Sequence, residues 1–134
     1  MVLQSLSGLP AFLAYFSVSA VAVIVYLLIY TRVTPHDEFA LIGKNVAGAA
    51  ISLGLSLVGF ALPVASAVAH AADIVDCAIW SVIALIVQIV AYYVARIPVP
   101  NLSARIAAGE HGAAIWLGLA SLTAGVLSAA SMSL

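Results

Sequence analysis

Four polar side chains interrupt one stretch of a very apolar chain: His70, Asp73, Asp76 and Gln88. Carboxylates and an imidazole of this kind bind cations or relay protons, and burial tunes the pH at which they do so. At about 100° per residue the four fall within roughly a third of a helix circumference, with Cys77 and Trp80 beside them. Ile79, Val82, Ile86, Ile89 and Val90 take the opposite side. Polar groups in a membrane face protein or water, because lipid cannot satisfy them. Two readings are open. In the first, His70, Asp73 and Asp76 form the outer mouth of a hydrophilic path and Gln88 lies deeper along it. In the second, Asp73 caps the helix and Gln88 makes one interhelical hydrogen bond. A hydrolytic His70–Asp73–Cys77 site is not expected, since side chains on one helix stand side by side rather than converging.

These residues need an element to carry them, and composition says which. Of 134 residues, 66% are apolar and 7% charged. Soluble domains run near 45–50% and about 25%. The net charge of −1 offers no basic surface, so no nucleic-acid partner is expected. One cysteine excludes an internal disulfide and a Cys-based zinc site, and no cofactor is expected. The expected class is all-α: a polytopic membrane protein, with the lipid bilayer as its medium. A hydrocarbon core of roughly 30 Å takes about 20 apolar residues per helix. Four stretches qualify, from about Pro10 to Thr31, Asn45 to Ala69, Asp73 to Ala95 and Gly112 to Met132. They form a single membrane domain over residues 1–134. No Lys or Arg precedes the first span, and its apolar run is longer than that of a signal peptide, so it is read as a true span.

All four basic residues lie between spans one and two (Arg32, Lys44) or three and four (Arg96, Arg105). Basic loops stay cytoplasmic, so both termini are expected in the periplasm. Tyr30, Tyr92 and Tyr93 are placed by this reading in an aromatic belt at the cytoplasmic boundary. Lys44 and Glu110 stand at corresponding ends of spans two and four; they either pair across the bundle or act separately, one snorkelling and the other capping.

A shift of 64 residues aligns the halves. Phe16 meets Trp80, Arg32 meets Arg96, Gly48-Ala49-Ala50-Ile51 meets Gly112-Ala113-Ala114-Ile115, and Leu53-Gly54-Leu55 meets Leu117-Gly118-Leu119. The expected arrangement is two parallel two-helix repeats, about 10–69 and 73–132. Gly48, Ser52 and Ser56, and likewise Ser121, Gly125 and Ala129, recur every fourth position as packing seams. Thr34 and Pro35 suit the start of a helix as N-cap and first residue. Helices this rich in Ala and Gly bury little in one chain, so a homo-oligomer is expected.

The run Thr34-Pro35-His36-Asp37-Glu38, with Leu41, Ile42, Asn45, Ala47 and Ala49, continues to Gly59-Phe60 and Leu62-Pro63. With Asp76, Trp80 and Gln88, and with Ile106, Gly109 and Glu110, it resembles domain-of-unknown-function family 350, the YjfL-like bacterial inner-membrane proteins. Lys44 departs from that pattern, standing where a small residue is expected. The resemblance implies four spans built as a twofold repeat in a bacterial cytoplasmic membrane, and no settled activity. It also implies an association with envelope-stress proteins and ATP-grasp ligases. Two functions therefore follow as expectations. One is an oligomeric channel or small transporter for a cation or proton, with Asp76 and Gln88 on its polar face. The other is a non-transporting scaffold whose Thr34–Lys44 segment, through Asp37 and Glu38, recruits a cytoplasmic stress-response protein.

Overall fold

The computed structural model describes residues 2–35 and 37–132, and His36 of the motif lies outside them. Among the described residues seven helices follow one another: α1 (Val2–Leu6), α2 (Leu9–Val33), α3 (Glu38–Gly43), α4 (Ala47–His70), α5 (Ile74–Ala95), α6 (Leu102–Ala107) and α7 (His111–Met132). Among the described residues there is no strand. Helices α2, α4, α5 and α7 are each long and apolar enough to cross a membrane. In lipid a helix satisfies its own backbone, which is why these apolar runs take that form. The four basic side chains gather where α2 and α5 end and where α4 and α7 begin; this is the basic end, and the opposite one is the far end.

The short helices have local causes. Pro35 follows α2, whose last turn closes with the Thr34 amide donating to the Tyr30 carbonyl. The next helix does not start at Thr34 and Pro35. Asp37 is its cap, and its carboxylate accepts from the Ala40 amide at 3.1 Å. Asn45 then takes a left-handed conformation, φ 64°, and separates α3 from α4. Asparagine tolerates that region better than most residues. Gly109, φ 87°, sits at the same place between α6 and α7. The starts of α3 and α6, Glu38 and Leu102, and of α4 and α7, Ala47 and His111, are likewise 64 residues apart.

Helices α4 and α7 make the most extensive contact, and they run parallel. Gly48 faces Ala114, Leu55 faces Gly118, Gly59 faces Ser121 and Gly125, and the Ser66 hydroxyl donates to the Ala129 carbonyl at 3.0 Å. The rows of small residues meet along this seam, where backbones touch directly. Helix α5 packs on both α4 and α7, while α2 lies outside, against α4 and α5. The arrangement is lopsided: α4 packs on α5, whereas α2 has no comparable contact with α7. Most apolar side chains of α2 are exposed, including the stacked pair Phe12 and Phe16. Such surface suits acyl chains.

Candidate functional site

The buried polar groups do not start from the outer carboxylates. They begin at the basic end, with Tyr26, Tyr30, Thr34 and Glu38, one every fourth residue. Helix α2 carries the two phenols inward along one face, and the bend at Pro35 folds α3 back so that Glu38 enters the same space. Glu38 is 0% exposed. The Thr34 hydroxyl is shared between the Tyr30 carbonyl and Glu38 Oε1. Burial pushes the Glu38 carboxyl above its ordinary value, the Thr34 hydrogen bond pulls it partly back, and neighbouring Asp37 adds to the rise.

Deeper in, aromatic rings build the walls. Tyr26 stacks on Phe60 with centroids 4.5 Å apart, and Tyr30 meets Tyr92 edge-on at 5.6 Å. Phenols in such a place need partners for their hydroxyls. Tyr26 shares a short hydrogen bond with Ser56 of α4, and Tyr92 Oη lies 3.2 Å from Ser103 Oγ of α6. Ser56 also neighbours the Tyr30 phenol, and Gln88 neighbours that of Tyr26. Gln88, 1% exposed, reaches from α5 between α4 and α7, where its Nε2 donates to the Ser121 carbonyl at 3.1 Å. Gly59 makes room for it: a Cβ there would lie 3.1 Å from Gln88 Nε2 and 2.5 Å from the Ser121 oxygen. Glu38, Thr34, Tyr30, Ser56, Tyr26, Gln88 and Ser121 thus line one buried polar chain, bonded in three separate pairs (Thr34 to Glu38, Tyr26 to Ser56, Gln88 to the Ser121 carbonyl) and interrupted at the Tyr30 phenol, which has no hydrogen-bond partner among the described residues. At 1.5 Å per residue, Ser121 lies about 15 Å along α7, near the middle of a hydrocarbon core of roughly 30 Å. Beyond it the buried residues include Pro63, Val64, Ala67, Cys77, Ser81, Ala84 and Gly125, without a carboxylate or amide.

The other sequence candidates sit apart from this chain. Asp73 caps α5, its Oδ1 accepting from the Asp76 amide at 2.8 Å, and Asp76 Oδ2 accepts from the Ala72 amide at 3.0 Å. The arrangement is a variant of the capping box in which the return bond comes from the residue before the cap, so both carboxylates are engaged at the far end. His70 is exposed, and its Nδ1 lies 2.9 Å from the Ser66 carbonyl. The buried row of α5 is Cys77, Ser81, Ala84, Gln88, Tyr92 and Ala95, which places Gln88 in the core and Asp76 off its edge. The ion pair at the basic end joins Glu110 to Arg105 at 3.1 Å and not to Lys44. Five residues and the left-handed Gly109 bring Arg105 to Glu110, whereas Lys44 closes the last turn of α3. Tyr30 and Tyr92 are core residues rather than belt residues, and only Tyr93, 49% exposed, keeps an outward position. Thr34 and Glu38 are buried, so of the proposed recruiting residues Asp37 is the exposed acid.

The signal missed in the sequence was the four-residue spacing from Tyr26 to Glu38. It crosses the end of a span and a proline, where helical periodicity does not carry over. Comparison with known proteins agrees with the motif. The family model described as Domain of Unknown Function (DUF350) matches residues 4–132. The chain is 36% identical over 128 residues to the UPF0719 inner membrane protein YjfL of Escherichia coli (strain K12), covering 96% of this chain and 97% of the relative. The protein of the same name from Escherichia coli O157:H7 matches to the same extent. No solved structure matches. With a family match over nearly its whole length and a relative of this similarity, the chain belongs to the DUF350 family.

Proposed function

We propose that this is a multi-pass protein of a bacterial inner membrane that moves a small cation or a proton, taking it up from the cytoplasm beside Glu38. The location is supported by the relative's printed name and by the four apolar helices. The orientation, with both termini in the periplasm, is supported by the confinement of Arg32, Lys44, Arg96 and Arg105 to one end. The recurrence of elements at 64 residues and the parallel α4–α7 pair support a duplicated two-helix unit. The buried acid belongs to one unit alone, since Leu102 stands where the repeat would place Glu38. Helix α2 fully buries only Tyr26 and Tyr30 and half-buries Ala22, Val23, Leu27 and Val33 against the core, leaving its outward face for lipid or for a second copy in an oligomer.

The observation that carries the reading is the fully buried Glu38 at the base of a polar chain reaching membrane mid-depth. Ionisable and amide groups at such depth are costly, and they mark ion and proton paths. The path is closed toward the far end, so transport requires that half of the bundle to open. Proteoliposomes test this. Wild-type protein should collapse an imposed cation or proton gradient, and Glu38→Gln should slow the collapse at least tenfold. Equal rates in the two proteins, or none above empty vesicles in either, would remove the reading and leave the scaffold.

A further inference from the structure

Pro63 lies inside α4 and has no amide hydrogen, so the Gly59 carbonyl loses its ordinary helical donor. That carbonyl falls where α4, α5 and α7 converge, with its oxygen against the backbone of Gly125. Gln88 and Ser121, the residues that meet Gly59 here, each carry a further oxygen, Gln88 Oε1 and Ser121 Oγ, that is buried and makes no hydrogen bond among the described residues. The unpartnered Tyr30 hydroxyl lies nearby, beyond Ser56. Orphaned polar atoms in a membrane interior call for a partner.

The chemistry of the donors selects that partner. All are neutral oxygens, and no carboxylate stands among them, which disfavours a divalent cation. No Lys, Arg or His side chain stands among them either, which disfavours an anion. An amide does not take up and release protons as a hydroxyl chain does, so Gln88 ends a proton wire rather than extending it. Carbonyl, amide and hydroxyl oxygens are the ligands that replace the hydration shell of an alkali cation in membrane proteins, often where a helix is interrupted.

We infer that the junction of Gly59, Gln88 and Ser121 is a binding site for one monovalent alkali cation, held by Gln88 Oε1, Ser121 Oγ and the Gly59 carbonyl. This rests on the proposed cation transport and narrows its substrate to sodium or potassium. The test is thermal unfolding of the full-length protein in detergent, titrating NaCl or KCl against choline chloride at constant ionic strength. One of the two salts should raise the melting temperature saturably, which identifies the ion. Ser121→Ala and Gln88→Leu should each weaken the apparent affinity at least tenfold, while Asp76→Asn leaves it unchanged. Ser121→Ala removes one oxygen from a small side chain and keeps the seam, so it remains informative should Gln88→Leu fail to fold. A melting temperature indifferent to both salts overturns the site, as does a saturable shift of equal affinity in Ser121→Ala. Ion flux without saturable binding removes this site and leaves the transport reading; binding without flux does the reverse.

Discussion

Gly125→Ala is expected to destabilise the bundle by about 3 kcal/mol or more, at the upper end of the overpacking range. A Cβ on Gly125 would lie 1.8 Å from the Gly59 carbonyl oxygen, 2.5 Å from its carbon and 2.7 Å from its Cα. These are backbone atoms of an α-helix, so no rotamer change relieves the clash, and α4 and α7 must separate along their whole contact. The gain of roughly 0.5–1 kcal/mol that alanine brings over glycine inside a helix does not offset this. The seam provides its own controls. Gly59→Ala meets the Ser121 oxygen at 2.5 Å and should be nearly as harmful. Gly118→Ala meets Leu55, whose Cδ1 at 2.6 Å can move but whose Cβ at 2.9 Å cannot, and Gly48→Ala meets Ala114 Cβ at 3.1 Å. Gly54→Ala meets nothing within 4 Å and should be mildly stabilising, by the gain of alanine over glycine inside a helix. Thermal unfolding in detergent should rank the variants in that order. A Gly125→Ala protein that melts with wild type would deny the α4–α7 contact.

The second large effect concerns pH. Glu38 is held above its ordinary value of 4.5, chiefly by burial. Well below that value the side chain is neutral in the folded and unfolded states, and stability is greatest. As pH rises the unfolded chain releases its proton first, so it binds fewer protons than the folded one, and stability falls with pH. The loss is complete once pH passes the raised folded value. Glu38→Gln keeps the shape and the neutral character at every pH. It should therefore abolish this decline and leave the variant more stable than wild type near neutrality, even as it stops transport. Melting curves between pH 4 and pH 8, compared for the two proteins, check the point. Parallel curves would mean that Glu38 is not desolvated.

The sequence made the four membrane helices legible because 20-residue apolar runs have few other solutions. Their bounds lie within a few residues of those read from composition, as at Asp73 and Ala95. The close approach of α4 and α7 was legible in part: Gly48, Ser121, Gly125 and Ala129 lie on the seam, whereas Ser56 turns to Tyr26 of α2. The candidate site was read less well. Asp73 and Asp76 are acids at a helix N-terminus, and the residue types of a capping box are also those of an ion mouth; only the amide partners distinguish them. The tyrosines misled for a related reason. A phenol near a span's end suits both the interface and a buried hydroxyl pair, and Ser56 and Ser103, which decide the matter, lie 30 and 11 residues away. Glu38 was read as a recruiting acid of the cytoplasmic segment, because its burial depends on the fold-back at Pro35. Gln88 was singled out from its position on α5, but its reach into the α4–α7 seam depends on Gly59, 29 positions earlier in the chain.

The central claim is that ions are handled by the buried chain ending at Gln88 and not by the acids at the far end. Cation flux into proteoliposomes, measured side by side for wild type, Gln88→Leu and Asp76→Asn at matched protein density, tests it most directly. The expected result is flux at wild-type rate in Asp76→Asn and at least a tenfold loss in Gln88→Leu. The opposite pattern, with Asp76→Asn silent and Gln88→Leu fully active, would contradict the account and return the path to the outer carboxylates.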